Sequence, residues 1–197
     1  MSRRTPAAAG FTLIELMLVV LVMSIFAAVI VTRFEPTVRT DLNAVAQAIA
    51  GDMARARSLA VTNNGTYRFT FDLTNNLYYL EYSGSNTVLA TLPSTPFYTS
   101  QDTATRQYTL LGNLPGLGSA VQLAAVGTNG SGAVPVTQVE FGNQGQTTQV
   151  NETDIWLTAG SGASQCWQSV SINPITGLAT VQSFQNSGPP ASILGGS

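Results

Sequence analysis

Glu15 is the one ionisable side chain in the run from Phe11 to Val31, which otherwise holds apolar residues with Thr12 and Ser24. A carboxylate in the apolar part of a membrane helix costs about 2.5 to 3.5 kcal/mol on insertion scales, so it marks a function by default and calls for a partner. A second reading stands beside this one, in which Glu15 lies close enough to the helix end to reach the headgroups. At about 1.5 Å of rise per residue, the run covers roughly the 30 Å hydrocarbon core of a bilayer and reads as a membrane helix. Arg3 and Arg4 precede it, while Arg33 and Glu35 follow and offset one another. That asymmetry puts the N-terminus in the cytoplasm and the remainder of the chain outside.

Elsewhere the residue types argue against most chemistry. The chain of 197 residues contains no His, which removes the usual neutral-pH general base and the commonest metal ligand. Cys166 is the single cysteine, so neither an intrachain disulfide nor a multi-cysteine zinc site can form; it reads as a small buried hydrophobe. Glu152 and Asp154 are near enough to share a calcium ion, but such a pair is more often simply solvated. Gly116-Leu117-Gly118 and Gly160-Ser161-Gly162 lack the Lys and the strand-to-helix setting of a phosphate loop and read as turns. No catalytic residue, cofactor or metal site is expected, and the chain is not expected to be an enzyme. Charged residues make up 9% and hydrophobic ones 44%, with a formal charge of −2. Such a balance excludes a globally basic nucleic-acid-coating protein.

Three processing readings compete for the N-terminus. An ordinary secretory signal would be cut after the apolar run, where Ala27-Ala28 is embedded in further apolar residues. Arg3-Arg4 alone is a weak twin-arginine signal. The third reading rests on Gly10-Phe11-Thr12-Leu13-Ile14-Glu15-Leu16, which resembles the processing and assembly segment of the type IV pilin and type II secretion pseudopilin superfamily. The resemblance implies that a prepilin peptidase cuts between Gly10 and Phe11 on the cytoplasmic side and that Phe11 is then N-methylated. It also implies a partner for Glu15, the charged amine of Phe11 on a neighbouring subunit. Desolvation offsets much of such an ion pair, so pairing would favour register more than stability.

Beyond the apolar run, Val38, Leu42, Val45, Ile49, Met53, Ala56 and Ala60 recur at three- and four-residue spacing and predict an amphipathic helix. Glu35 and Arg39, and Asp52 and Arg55, are helix-surface charge pairs. A kink is expected near Glu35-Pro36, although Pro36 equally suits the start of a new helix. The helix should stop at Asn63-Asn64-Gly65, with Gly65 as the left-handed cap. From Tyr67 the period becomes two. Strands are expected at Tyr67–Leu73, Leu77–Tyr82, Thr87–Leu92, Gln107–Leu111, Ala120–Val126, Val136–Phe141, Asp154–Thr158, Cys166–Ile172 and Leu178–Phe184, separated by Gly/Asn turns. The implied fold class is α+β: a long N-terminal helix packed on an antiparallel sheet or sandwich. The segments are a leader over 1–10, a membrane or filament-core half-helix over 11–34, a soluble half-helix over 35–64, a β-rich domain over 65–184 and a loose tail over 185–197.

Val139-Glu140-Phe141, Gly145, Ile155-Trp156-Leu157 and Val170-Ser171-Ile172 with Gly177 resemble the C-terminal half of minor pseudopilin H of type II secretion and of the related fimbrial-biogenesis minor pilins. One branch of those pilins binds DNA through basic residues near its C-terminal end. Here the last basic residue is Arg106, with Glu140, Glu152 and Asp154 downstream, so counterion release cannot drive phosphate binding and no nucleic acid is expected for the isolated subunit. Arg55, Arg57 and Arg68 form a small cluster read as a solvated face or subunit contact. The resemblance implies a single-pass subunit of the bacterial inner membrane, with its C-terminal domain periplasmic or extracellular. Its partners would be the prepilin peptidase and other pilin or pseudopilin subunits. Two alternatives are a minor pilin of a surface pilus serving biogenesis, adhesion, motility or DNA uptake, and an exported β domain, enzyme or sugar binder, on an uncleaved anchor.

Overall fold

A computed structural model describes residues 13–31, 38–94, 99–114, 121–130, 132–162 and 165–194. The chain forms two compact units, 1–36 and 37–197. In the first, α1 spans Leu13–Val31, with side chains described as far as Ser24. Gly10, Phe11, Arg33, Glu35 and Pro36 lie outside the described residues, and with them the cleavage site and the expected kink.

The second unit opens with α2, Val38–Thr62. From Leu42 on its spacing works as expected: Leu42, Val45, Ile49, Met53, Ala56 and Ala60 are buried on one stripe, joined by Ala46, while Val38 is half-buried. Burying a large aliphatic side chain stabilises by roughly 1.5–3 kcal/mol, while the alanines let neighbouring strands approach closely. The helix ends on Gly65 N–H donating to the Ala60 carbonyl at 3.0 Å. The left-handed residue is Asn64, at φ 48°, and not Gly65. Asn tolerates that conformation because its short polar side chain bonds locally.

Eight strands follow: β1 Tyr67–Asp72, β2 Leu77–Tyr82, β3 Arg106–Leu110, β4 Val121–Thr128, β5 Gln138–Phe141, β6 Thr153–Ala159, β7 Cys166–Ile172 and β8 Ala179–Val181. They make two antiparallel sheets, ordered β3-β2-β1-β5 and β4-β6-β7-β8. Both sheets share one core with α2, so the expected α+β class with antiparallel sheets holds. Tyr67, Phe69 and Phe71 supply the inner face of β1, with Phe69 edge-on to Tyr78 at 5.7 Å and to Phe141 at 6.4 Å. On the second sheet Ile155, Leu157, Val170 and Ile172 face the same core.

Two further expectations of secondary structure need correction. Thr87–Leu92 is not a strand: Thr87–Ala90 form a 3-10 turn, capped by Asn86 Oδ1 accepting from the Val88 N–H at 3.1 Å. An Asn ahead of a short apolar run is a helix-start signal, and it prevails over strand propensity here. The segment after Phe184 also carries structure. Gln185 exchanges two backbone hydrogen bonds with Trp167, and α3, Ala191–Leu194, buries Ile193.

Candidate functional site

On α1 the described side chains are exposed all round: Leu13 is 77% and Ile14 75% exposed, and Leu16, Met17, Leu18 and Leu21 follow suit. A helix that is apolar on every face requires an apolar surrounding, whether lipid or other helices. Glu15 lies in its first turn. Among the described residues no helix is both long and apolar enough to cross a membrane, and the described side chains of α1 end at Ser24. The structure thus places Glu15 on the first turn of an exposed apolar helix; Gly10 and Phe11 lie beyond what it describes.

The β unit holds polar arrangements that the sequence did not reveal. Asp52 on α2 points into the first sheet, where its Oδ2 accepts from the Tyr78 hydroxyl at 2.7 Å and from Thr109 Oγ1 at 3.4 Å. Burial pushes the Asp52 carboxyl above its ordinary 3.8, against the lowering pull of Tyr78 and the Arg55 charge. The same burial, together with Asp52, pushes the Tyr78 phenol up. Asp52 was expected to pair with Arg55. Instead Arg55 donates to Gln107 Oε1 at 2.7 Å and to the Pro93 carbonyl at 3.0 Å.

Across the outer face of the first sheet runs a row of alternating charge, one residue from each strand: Arg106, Glu81, Arg68 and Glu140. The register aligns Glu81 with Arg106, and Arg68 with both Glu81 and Glu140. Arg106 Nε meets Glu81 Oε2 at 2.8 Å, Arg68 reaches Glu81 at 3.7 Å, and Arg68 meets Glu140 at 2.9 Å. Arg106 also stacks over the Tyr79 ring at 4.9 Å. The signal was available in part: all four sit on the polar phase of their strands, and their signs alternate in this strand order, although they would also alternate in others. The expected cluster of Arg55, Arg57 and Arg68 is dispersed, since Arg57 donates to the Thr176 carbonyl at 2.6 Å and Arg68 belongs to the ladder.

Of the two carboxylates Glu152 and Asp154, the first is exposed and the second buried. Asp154 accepts from the Ser171 hydroxyl on the adjacent strand, and burial pushes its carboxyl up. Cys166 is buried, its thiol directed at the Ala159 carbonyl at 3.8 Å.

Residues 6–31 match the family model of the prokaryotic N-terminal methylation motif, a span that contains Gly10, Phe11 and Glu15. No curated protein matches the chain. Among solved structures, the chain is similar to the minor pseudopilin EpsH from the type 2 secretion system of Vibrio cholerae. The TM-score is 0.46 at 12% identity, over 73% of this chain and 97% of that one. It is also similar to the type IV minor pilin FimU of Pseudomonas aeruginosa strain PAO1, with a TM-score of 0.45 at 14% identity, over 78% of this chain and 96% of that one.

Proposed function

We propose that this chain, whose N-terminal segment is that of the type IV pilin and pseudopilin superfamily, is a minor, non-enzymatic subunit of a membrane-anchored filament. A prepilin peptidase cuts between Gly10 and Phe11, the new N-terminus is methylated, and α1 enters a bundle of helices from other subunits. The observation that carries this is the coincidence of two features on one segment. The methylation motif covers residues 6–31, and the described part of α1 within it exposes apolar side chains on every face around a single carboxylate. Glu15 meets the Phe11 amine of a neighbouring subunit there, and the β unit faces the periplasm or the exterior.

Within that reading, the machine is the pseudopilus of type II secretion, where the subunit supports protein export. This finer assignment draws on the strand-turn-strand pattern of the C-terminal half noted in the sequence. A Glu15→Leu variant tests the assembly role. It should insert in the membrane at the wild-type level and be missing from sheared filaments. Normal incorporation would overturn the role of Glu15 and leave the cleavage reading to be tested separately.

A further inference from the structure

An Asn-Gly dipeptide is open to attack by its own backbone, because glycine presents the following nitrogen with no side chain in the way. The chain holds two, Asn64-Gly65 and Asn129-Gly130. Both asparagines are exposed, so exposure does not separate them. Their hydrogen bonds do.

At Asn64-Gly65 the reacting groups are engaged elsewhere. The Gly65 N–H donates to the Ala60 carbonyl at 3.0 Å, closing the end of α2, and Asn64 Oδ1 accepts from Asn143 Nδ2 at 2.9 Å. Tyr82 lies so close to Gly65 that a Cβ there would stand 2.9 Å from its ring. Cyclisation at this site requires both hydrogen bonds to open, beside a residue that the ring holds in place.

At Asn129-Gly130, which follows β4, the two reacting groups face each other. The Gly130 N–H donates to Asn129 Oδ1 at 2.7 Å, which brings the nitrogen alongside the side-chain carbonyl carbon, one bond from that oxygen. The approach is held from the strand side, where the Asn129 N–H donates to the Glu152 carbonyl at 2.7 Å and the Thr128 N–H to the Val134 carbonyl at 2.9 Å. Gly130 lies at φ 98°, with no atom within 4 Å of where a Cβ would stand, so nothing crowds its nitrogen as the side chain turns to meet it.

We propose that Asn129 is a modification site at which the folded chain converts itself, by way of a cyclic imide, to aspartate and isoaspartate, while the fold protects the same dipeptide at Asn64. The Gly130 nitrogen gives its proton to solvent base and bonds to the side-chain carbonyl carbon of Asn129. The C–N bond of the side-chain amide breaks, and its nitrogen takes a proton from water and leaves as ammonia. Water then opens the ring: addition at the side-chain carbonyl gives aspartate, and addition at the main-chain carbonyl gives isoaspartate, whose main chain gains one methylene. Nothing is oxidised or reduced, and water is the co-reactant. Either product places a negative charge near the exposed Glu152, whose carbonyl accepts from the Asn129 N–H. Isoaspartate also lengthens the chain just ahead of the turn that the Ala133 N–H closes on the Gly130 carbonyl at 3.2 Å. The proposal goes beyond the filament-subunit reading and does not rest on it, since the reaction needs only the folded chain and water.

The experiment incubates the detergent-solubilised full-length chain in mildly alkaline buffer, folded and in concentrated urea, and follows both sites by peptide mass mapping, with isoaspartate read by isoaspartyl methyltransferase labelling. In the folded chain Asn129 should convert at least about tenfold faster than Asn64, because only Asn64 must first break its hydrogen bonds. In urea the two should convert at comparable rates. Asn129→Gln, which would have to close a six-membered ring, should abolish conversion at that position and leave the rate at Asn64 unchanged. Equal rates at the two sites in the folded chain would overturn the proposal. A difference that persists undiminished in urea would overturn it as well, because the local sequence and not the fold would then set the contrast.

Discussion

Asn76 pairs with Leu123 as though it were a strand: its side-chain Oδ1 accepts from the Leu123 N–H at 2.7 Å, and its Nδ2 donates to the Val121 carbonyl at 2.9 Å. Asn76 sits in the turn between β1 and β2 at φ 52°, a conformation Asn tolerates. One side chain thereby satisfies two backbone groups on the edge of β4 and ties the first sheet to the second. Asn76→Gly keeps the backbone angle accessible and removes both bonds. Its unfolding free energy should fall by about 1–3 kcal/mol, with faster amide exchange at Leu123; unchanged exchange there would contradict the tie.

Asp52 predicts a pH signature. Its carboxyl is raised in the folded state, mainly by burial, so the folded chain holds that proton more tightly than the unfolded chain. Its contribution is therefore most favourable below the unfolded value near 3.8 and declines as pH rises through the folded value. Asp52→Asn cannot titrate. Thermal melts of the two proteins across that window should diverge as pH rises, with the variant losing less stability; parallel curves would contradict it.

Gly177 lies at φ 64°, and a Cβ there would overlap the Gly145 carbonyl oxygen. That approach brings the β7–β8 turn against the loop after β5, beside Arg57, which donates to Thr176. Gly177→Ala should destabilise by about 1–3 kcal/mol from backbone strain alone, and more from the clash. Gly130→Ala, at φ 98° with open space around it, isolates the strain component in chemical denaturation.

The charge ladder should matter less to stability than its regularity suggests. Its members are partly exposed, so Glu81→Gln should cost under about 1 kcal/mol, with the loss shrinking in high salt. A salt-independent loss of several kcal/mol would mean that Glu81 holds more than this row.

Much of this architecture was legible in the sequence because it is periodic. The stripe from Leu42 to Ala60 and the alternation of Tyr67, Phe69 and Phe71 carry their buried face in the spacing, and β7 lies at the predicted residues. Aperiodic features were not legible. Asn64 rather than Gly65 takes the left-handed position, Asn86 turns a strand-like run into a 3-10 turn, and the tail is held by the Gln185–Trp167 backbone pair and by Ile193. Asp52 is the clearest case. On a helix wheel it reads as a surface partner for Arg55, and only the arrival of Tyr78 from β2 makes it a buried acceptor. At the N-terminus the situation is reversed: the motif around Glu15 was explicit in residue types, while the cleavage site lies outside the described residues.

Processing at Gly10-Phe11 is what everything said of α1 depends on, and the intact mass of the chain recovered from cell envelopes measures it directly. In cells with an active prepilin peptidase the chain should begin at Phe11 and carry one added methyl group, and in peptidase-deficient cells it should retain residues 1–10. A chain that still begins at Met1 with the peptidase present, or that begins beyond Ala28, would contradict the account.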